Sequence, residues 1–358
     1  MSRDWSSVGE IPEGSVAEMV QHLQPDWRVA SVQRSEYGTD FVAMLDVDSP
    51  DRQRRVVLKA TTADWVDPET ARAEPRLLSL VARETEIPVP SLFGVCEHHS
   101  EYPAPFFLME HVDGTNHEDG WPPLRVRERV LREAGRNLAA IHELDVLAGT
   151  RVGRVGVQNG TLGVLETDEF SPGTAFHDWL LSACEESLDS LAEGGYFPEL
   201  AADRTRFVDI VPELRAYLRD TLPDLPEPEP PVLCHSDYRY GNLLVDPETG
   251  ETQAVLDWGL LSAAAPAYNL AKTESFLLSP DRDSPDVVAR LRERFRSAYT
   301  RRREGWSFDE PTRERMRLYR LTCRIDAMSC LPLWHEDASA AEREQVADRH
   351  RAFVAEYL

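Results

Sequence analysis

The chain has 358 residues, with 39 Lys+Arg against 63 Asp+Glu and a formal net charge of −24. Its 42 % hydrophobic and 28 % charged content suits a globular chain long enough for two packed units. No apolar run approaches the roughly eighteen residues of a membrane span, the first residues lack the basic-then-apolar layout of a secretory leader, and the acidic balance disfavours nucleic acid and anionic lipid; the expectation is a cytoplasmic chain with no nucleic-acid or membrane partner.

Residues 11 to 23 read as a short helix, with Pro12 early and Ser15 as a candidate cap. The period then changes. Residues 27–35, 41–48 and 53–61 read as three strands separated by short turns, and Val56-Val57-Leu58-Lys59 is an apolar run ending on a charge. Residues 68–86 read as a helix in which Pro75 implies a late start or a kink. Residues 90–97 and 105–112 supply two more strands, which makes a five-stranded sheet with one inserted helix. After Asp113-Gly114 the pattern turns helical: Val126, Val130, Ala134, Leu138 and Ile141 mark an amphipathic helix ending near His142. Further helices are expected over about 174–192 and 203–221, followed by the Pro-rich spacer 226–231, two short strands at 232–234 and 254–256, and helices over about 267–301 and 311–357. No internal repeat is visible. The organisation is an N-terminal helical extension (1–26), a sheet-rich lobe (27–113) and a large helical lobe (114–358).

Five cysteines, an odd number with no CxxC pair, fit buried thiols in a reducing compartment. Only two of the basic residues are lysines, Lys59 and Lys272. High acid with scarce lysine points to a halophilic interior, where the Debye length at molar salt is only about 3 Å and self-repulsion is nearly abolished.

The segment richest in chemistry is Leu233-Cys-His-Ser-Asp-Tyr-Arg-Tyr-Gly-Asn-Leu-Leu-Val245, which places His235, Asp237 and Asn242 in a loop between apolar stretches. Fifteen residues after Asn242 comes Asp257-Trp258-Gly259, again just past a short strand. Two carboxylates and an amide on adjacent strand ends suit a Mg²⁺–phosphate site, because Mg²⁺ takes hard oxygen ligands and phosphate oxygens complete its shell.

The loop and the second aspartate resemble the aminoglycoside phosphotransferase group, which includes choline-kinase-like small-molecule kinases. The family loop reads His-Gly-Asp-x-x-x-x-Asn, and here it is His235-Ser-Asp-Tyr-Arg-Tyr-Gly-Asn242. The family's metal motif is similar to Asp257-Trp258-Gly259. The resemblance spans about residues 27 to 275. It implies an α+β, bilobal protein-kinase-like fold, with a small five-stranded antiparallel N-lobe carrying one helix and a large, mainly helical C-lobe. The N-lobe would bind nucleotide and the C-lobe would hold the catalytic loop and the acceptor. It also implies that Asp237 faces the attacking hydroxyl, that Asn242 and Asp257 coordinate Mg²⁺, and that His235 braces the loop. Lys59 would contact the ATP phosphates and pair with Glu74, with Glu69 as the reserve. The carbonyl of Glu110 and the amide of Val112 would read the adenine edge, and Gly38 lies in the nucleotide-covering turn. His142 reads as structural.

Ser236 stands where the family has Gly, and Ala264-Ala265-Pro266 and Asn269 stand where it has acidic residues, which bears on the acceptor more than on phosphoryl transfer. The expected activity is ATP- and Mg²⁺-dependent phosphorylation of a hydroxyl on a small molecule; the acidic helical lobe suits a cationic acceptor such as an aminosugar or amino alcohol, and the chain is a monomer or a dimer. Two rivals differ by class. A nucleotide-binding pseudokinase would have lost Lys59, Asp237, Asn242 or Asp257. A metal-dependent hydrolase using His235 and Asp237 would need neither a hinge nor a strand lysine.

One prediction follows from charge alone. Raising KCl from about 0.01 M to about 1 M shortens the Debye length from about 30 Å to about 3 Å. Self-repulsion falls, while exposed ion pairs lose only about 0–1 kcal/mol each. Melting temperature and ATP affinity should both rise across that series in thermal melts and titrations, and a melting temperature that falls steadily with salt would contradict the halophile reading.

Overall fold

Alternation builds the small lobe. In the computed structural model, which describes residues 11–35, 40–62, 66–117, 120–147, 151–166, 174–259 and 261–358, strands β1 (Arg28–Arg34), β2 (Phe41–Asp48), β3 (Gln53–Ala60), β4 (Leu92–Cys96) and β5 (Phe106–Glu110) form one antiparallel sheet in the order β1-β2-β3-β5-β4. Along β2, Phe41, Ala43, Leu45 and Val47 are buried in alternation. They meet Val56, Leu58 and Ala60 of β3 and the apolar side of helix α1 (Glu13–Leu23), where Val16, Met19 and Val20 are fully buried. Side chains alternate across a strand, so Val57 and Lys59 of β3 face away from this core. Pro12, not Ser15, occupies the N-cap of α1; Ser15 is buried inside the first turn.

The expected helix over 68–86 is two pieces, α2 (Pro68–Ala71) and α3 (Ala73–Glu84), joined at Arg72. Asp67 caps α2 by accepting from the amides of Glu69 and Thr70. Pro75 is the third residue of α3. Its missing N–H would have had no partner in a first turn, so it starts the helix without kinking it.

The large lobe packs helices α4 (Leu124–His142), α5 (Phe176–Glu193), α6 (Val211–Thr221), α7 (Pro266–Leu277), α8 (Pro285–Arg302), α9 (Glu310–Ser329), α10 (Leu331–Trp334) and α11 (Ala340–Val354) around a second core. Helix α6 begins later than expected. Before it, the Asp203 carboxylate accepts from the amide and hydroxyl of Thr205 at 2.9 and 2.7 Å, a local turn that competes with helix.

Four short strands are additions to the sequence reading. β6 (Gly153–Gln158) and β7 (Thr161–Val164) form a hairpin around Asn159 and Gly160, both at positive φ, and the sheet continues through β11 (Ser262–Ala264) to β8 (Val232–Cys234). β9 (Leu243–Val245) pairs with β10 (Thr252–Val255).

Helices α4 and α8 approach closely at Gly135. A Cβ on Gly135 would lie 2.3 Å from the Phe295 carbonyl oxygen and 3.0 Å from Ala298 Cβ. Because that carbonyl is backbone, it cannot swing away. Gly135→Val should therefore cost about 1–3 kcal/mol of stability, whereas Arg132→Ala, exposed one turn earlier, should stay within about 0.5 kcal/mol. Denaturant melts of the two variants separate these outcomes.

Candidate active site

Lys59 reaches across the cleft between the lobes. Its Nζ lies 2.7 Å from Glu74 Oε2, 3.2 Å from Asp257 Oδ1 and 3.9 Å from Asp40 Oδ2. Glu74 sits in the first turn of α3, where the positive end of the helix favours a carboxylate. Burial alone would lower the Lys59 ammonium, but the three carboxylates more than offset it and hold it above its ordinary value. Burial raises Glu74, with Asp257 adding to the effect and Lys59 opposing it. Glu69, by contrast, is engaged in the α2 cap, its amide donating to Asp67 Oδ1 at 2.7 Å.

Asp257 is held by the residues around it. Its φ of 57° is left-handed, a conformation most side chains avoid. Trp258 beside it is fully buried and donates its indole N–H to the Val255 carbonyl at 2.9 Å. Gly259 lies against Glu74: a Cβ there would be 3.4 Å from Glu74 Oε2, an ordinary contact distance.

The loop between β8 and β9 supplies the second cluster. Asn242, in a 3₁₀ turn over Tyr240–Asn242, donates its side-chain N–H groups to Asp237 Oδ2 at 2.7 Å and to the Asp237 carbonyl at 2.9 Å. Arg239 Nε donates to the same Oδ2 at 3.0 Å. Asp237 is half-buried, with its side chain 38 % exposed toward solvent. His235 is fully buried, and its Nε2–H donates to the Leu256 carbonyl at 3.1 Å, one residue before Asp257. Burial lowers its pKa, against the fields of Asp237 and Asp257, so it is a neutral donor that ties one loop to the other. It does not line the cleft as a base.

Lys59, Glu74 and Asp257 are thus brought together, and Asp237 and Asn242 form a directly bonded pair joined to them through His235. Glu110 ends β5, and the Val112 amide makes no backbone hydrogen bond among the described residues. Gly38 lies outside the described residues. For Mg²⁺, the available donors are the Asp257 carboxylate and Asn242 Oδ1, both hard oxygens. Among the described residues no three His, Cys, Asp or Glu side chains form a metal-holding group. Two protein oxygens completed by phosphates and water is the arrangement Mg²⁺ commonly takes, so these residues fit the ion.

The sequence reading missed how the loop is braced from behind. Asn269 on α7 donates from Nδ2 to the His235 carbonyl at 2.9 Å. Its Oδ1 accepts from His142 Nε2 at 3.0 Å, and His142 Nδ1 accepts from the Tyr299 hydroxyl at 2.8 Å. A carboxylate at position 269 could not donate to that carbonyl; the amide can, which accounts for Asn here. Asp40, near Lys59, was also missed. Neither has a local signal, because both act through chain-distant contacts.

The brace carries a pH dependence. Burial lowers the His142 pKa to about 3, with Arg303 adding to the effect and Asn269 opposing it. Unfolded histidine titrates near 6.5. Between those values the unfolded chain binds a proton that the folded chain does not, so stability falls as pH falls through that window and is fully present above it. At pH 5 the loss from this one group is about 2 kcal/mol relative to pH 7. His142→Gln should flatten the pH slope of unfolding free energy by that amount, and denaturant melts at pH 7 and pH 5 measure it; an unchanged slope would show that His142 is not the neutral group.

Comparison with known proteins agrees with this architecture. A model of the phosphotransferase enzyme family, APH, matches residues 43–319. Over 95 % of this chain and 98 % of the other, the fold superposes on a thermostable mutant of aminoglycoside phosphotransferase APH(4)-Ia in ternary complex with ADP and hygromycin B, at TM-score 0.61 and 18 % identity. A microcompartment-associated aminopropanol kinase matches at TM-score 0.53 and 16 % identity over 94 % of each chain. A Plasmodium vivax ethanolamine kinase matches at TM-score 0.54 and 11 % identity, over 97 % of this chain and 90 % of that one. Among curated sequences, mouse acyl-CoA dehydrogenase family member 10 is 25 % identical over 230 residues, 61 % of this chain and 18 % of that protein. The chicken family member 11 is 25 % identical over 195 residues, 54 % of this chain and 21 % of that protein. The chain therefore spans about a fifth of the length of these curated relatives. With the family match covering most of its length and the protein-kinase-like fold shared throughout, this chain belongs to the phosphotransferase enzyme family.

Proposed function

We propose that this protein transfers the γ-phosphoryl group of ATP to a hydroxyl of a small molecule, giving ADP and a phosphate monoester. The observation that carries the reading is the convergence of Lys59, Glu74 and Asp257 in the interlobe cleft, tied through His235 and Leu256 to the Asp237–Asn242 pair. Lys59, a compact point charge, steadies the α/β phosphates, and Glu74 keeps it aimed. The Val112 amide and Glu110 carbonyl hold the adenine edge. Asn242 Oδ1 and the Asp257 carboxylate would hold Mg²⁺, which when bound neutralises charge on the phosphates. Among the described residues the Asp237 side chain makes its hydrogen bonds through Oδ2, and Oδ1 would accept from the acceptor hydroxyl and take its proton. No helix of the described residues is long and apolar enough to cross a membrane, and the acid-rich, lysine-poor composition supports a cytoplasm of high ionic strength.

The decisive variant is Asp237→Ala. With a panel of hydroxyl compounds, ATP turnover and phosphate-ester formation followed by ³¹P NMR should fall about 10²–10³-fold in kcat. ATP affinity by calorimetry should stay nearly unchanged, because Asp237 faces the acceptor and not the nucleotide. Full kcat in this variant would remove Asp237 from that role.

A further inference from the structure

Lys272 is the second of the two lysines in this chain, and it does not behave as a structural cation. The buried carboxylate of its own helix is met by arginine: Glu274, 1 % exposed at its side chain, is paired with Arg292, Arg296 and Arg320. Lys272 lies on α7 three residues beyond Asn269, the residue that touches the His235 carbonyl. Positions i and i+3 share one side of a helix, so Lys272 stands one turn along from the brace of the loop that carries Asp237. Its side chain is 16 % exposed, and among the described residues its hydrogen bonding is a single 3.5 Å contact to Asp326 Oδ2 on α9. That is longer than an ordinary hydrogen bond, and an ammonium has three donors to place. Asp326, in contrast, is occupied at both oxygens, since Tyr196 donates to its Oδ1 at 3.3 Å. Burial opposes the lysine's charge, but Tyr268, Asp326, Cys323 and Asp237 outweigh it, so the ammonium stays charged close to the Asp237 field.

We propose that Lys272 is a specificity determinant that binds an anionic oxygen group, a carboxylate or a phosphate ester, on the same acceptor whose hydroxyl meets Asp237. This rests on the kinase reading and sets the acceptor class within it. Asp326 and Tyr196 position the ammonium, and its unfilled donors supply the contact. The acceptor class is then opposite in charge to the cationic one suggested by the acidic surface.

The test compares wild type, Lys272→Met and Lys272→Arg, in molar KCl with ATP, on acceptors sharing one hydroxyl geometry: hydroxycarboxylates, sugar phosphates, uncharged diols and amino alcohols. One anionic class should be the best wild-type acceptor, and the hydroxycarboxylate and sugar-phosphate arms decide which. Lys272→Met should lose about 10–100-fold in kcat/KM on it, mostly in KM, as expected for one charged hydrogen bond. Lys272→Arg should retain most of the activity, and diol turnover should change little in either variant. A diol or amino alcohol as best acceptor would overturn the proposal, as would an equal loss on every class in Lys272→Met. If wild type binds ATP yet phosphorylates none of the four classes, the kinase reading falls and this inference with it; amino-alcohol kinase activity alone would sink only the inference.

Discussion

The Lys59 ammonium, shared between Glu74 of the small lobe and Asp257 of the large one, is the contact on which the cleft depends. Three carboxylates surround one cation, with Asp40 the third. Such a cluster is stable only while each member keeps its partners, because a buried charge left alone costs several kcal/mol. Every neighbouring feature serves that constraint. Pro75 lets α3 begin where Glu74 falls in its first turn, and Trp258 anchors the strained Asp257 by packing and by one indole hydrogen bond. The excess of negative charge around Lys59 suits the divalent cation proposed for this site, whose positive charge would relieve Asp257.

The loop bearing Asp237 is braced from behind through three neutral side chains, Asn269, His142 and Tyr299, with the Arg303 guanidinium at the far end. Arg303 donates to the Tyr299 hydroxyl, Tyr299 to His142, His142 to Asn269, and Asn269 to the His235 carbonyl. Each donor and acceptor in the chain is determined by the one before it, so the tautomer of His142 is fixed. Neutral links suit this position. An ionised group beside His235 would add a field to the Asp237 carboxylate, whereas amide, imidazole and phenol hold geometry with little net charge.

The small lobe was legible because its strands alternate cleanly and its turns are short, and the spacing of His235, Asp237, Asn242 and Asp257 was legible because a loop between two short strands must put those side chains at adjacent ends. The β6–β7 hairpin was not read, although Asn159-Gly160 is a strong two-residue turn signal. Gly153, Gly156 and Gly163 thin its apolar pattern below what periodicity can show. β9 and β11 have three residues each, too few to carry a period. The late start of α6 was hidden because Asp203 and Thr205 form a local turn inside a stretch with helical composition. Asn269, Asp40 and Lys272 act through partners far away in sequence, so nothing near them in the chain marks what they do.

The distribution of charge completes the physical picture. Acidic residues dominate the total, yet the ion pairs that fix the large lobe are buried and made with arginine. Arg296 meets Glu274 at 2.6 and 3.0 Å in a two-pronged contact, and Arg127 pairs with Asp283 with both side chains under a tenth exposed. Salt screens exposed charges over a few ångströms at molar concentration but acts weakly on pairs shielded from water. Concentrated salt therefore removes the repulsion among surface carboxylates while leaving these interior pairs in place. Arginine suits the interior role because its planar fork matches a carboxylate at two points and stays charged under burial. The two lysines of the chain stand elsewhere, Lys59 among three carboxylates in the cleft and Lys272 one turn from the brace of the Asp237 loop, the two positions for which a ligand contact by a mobile point charge is proposed.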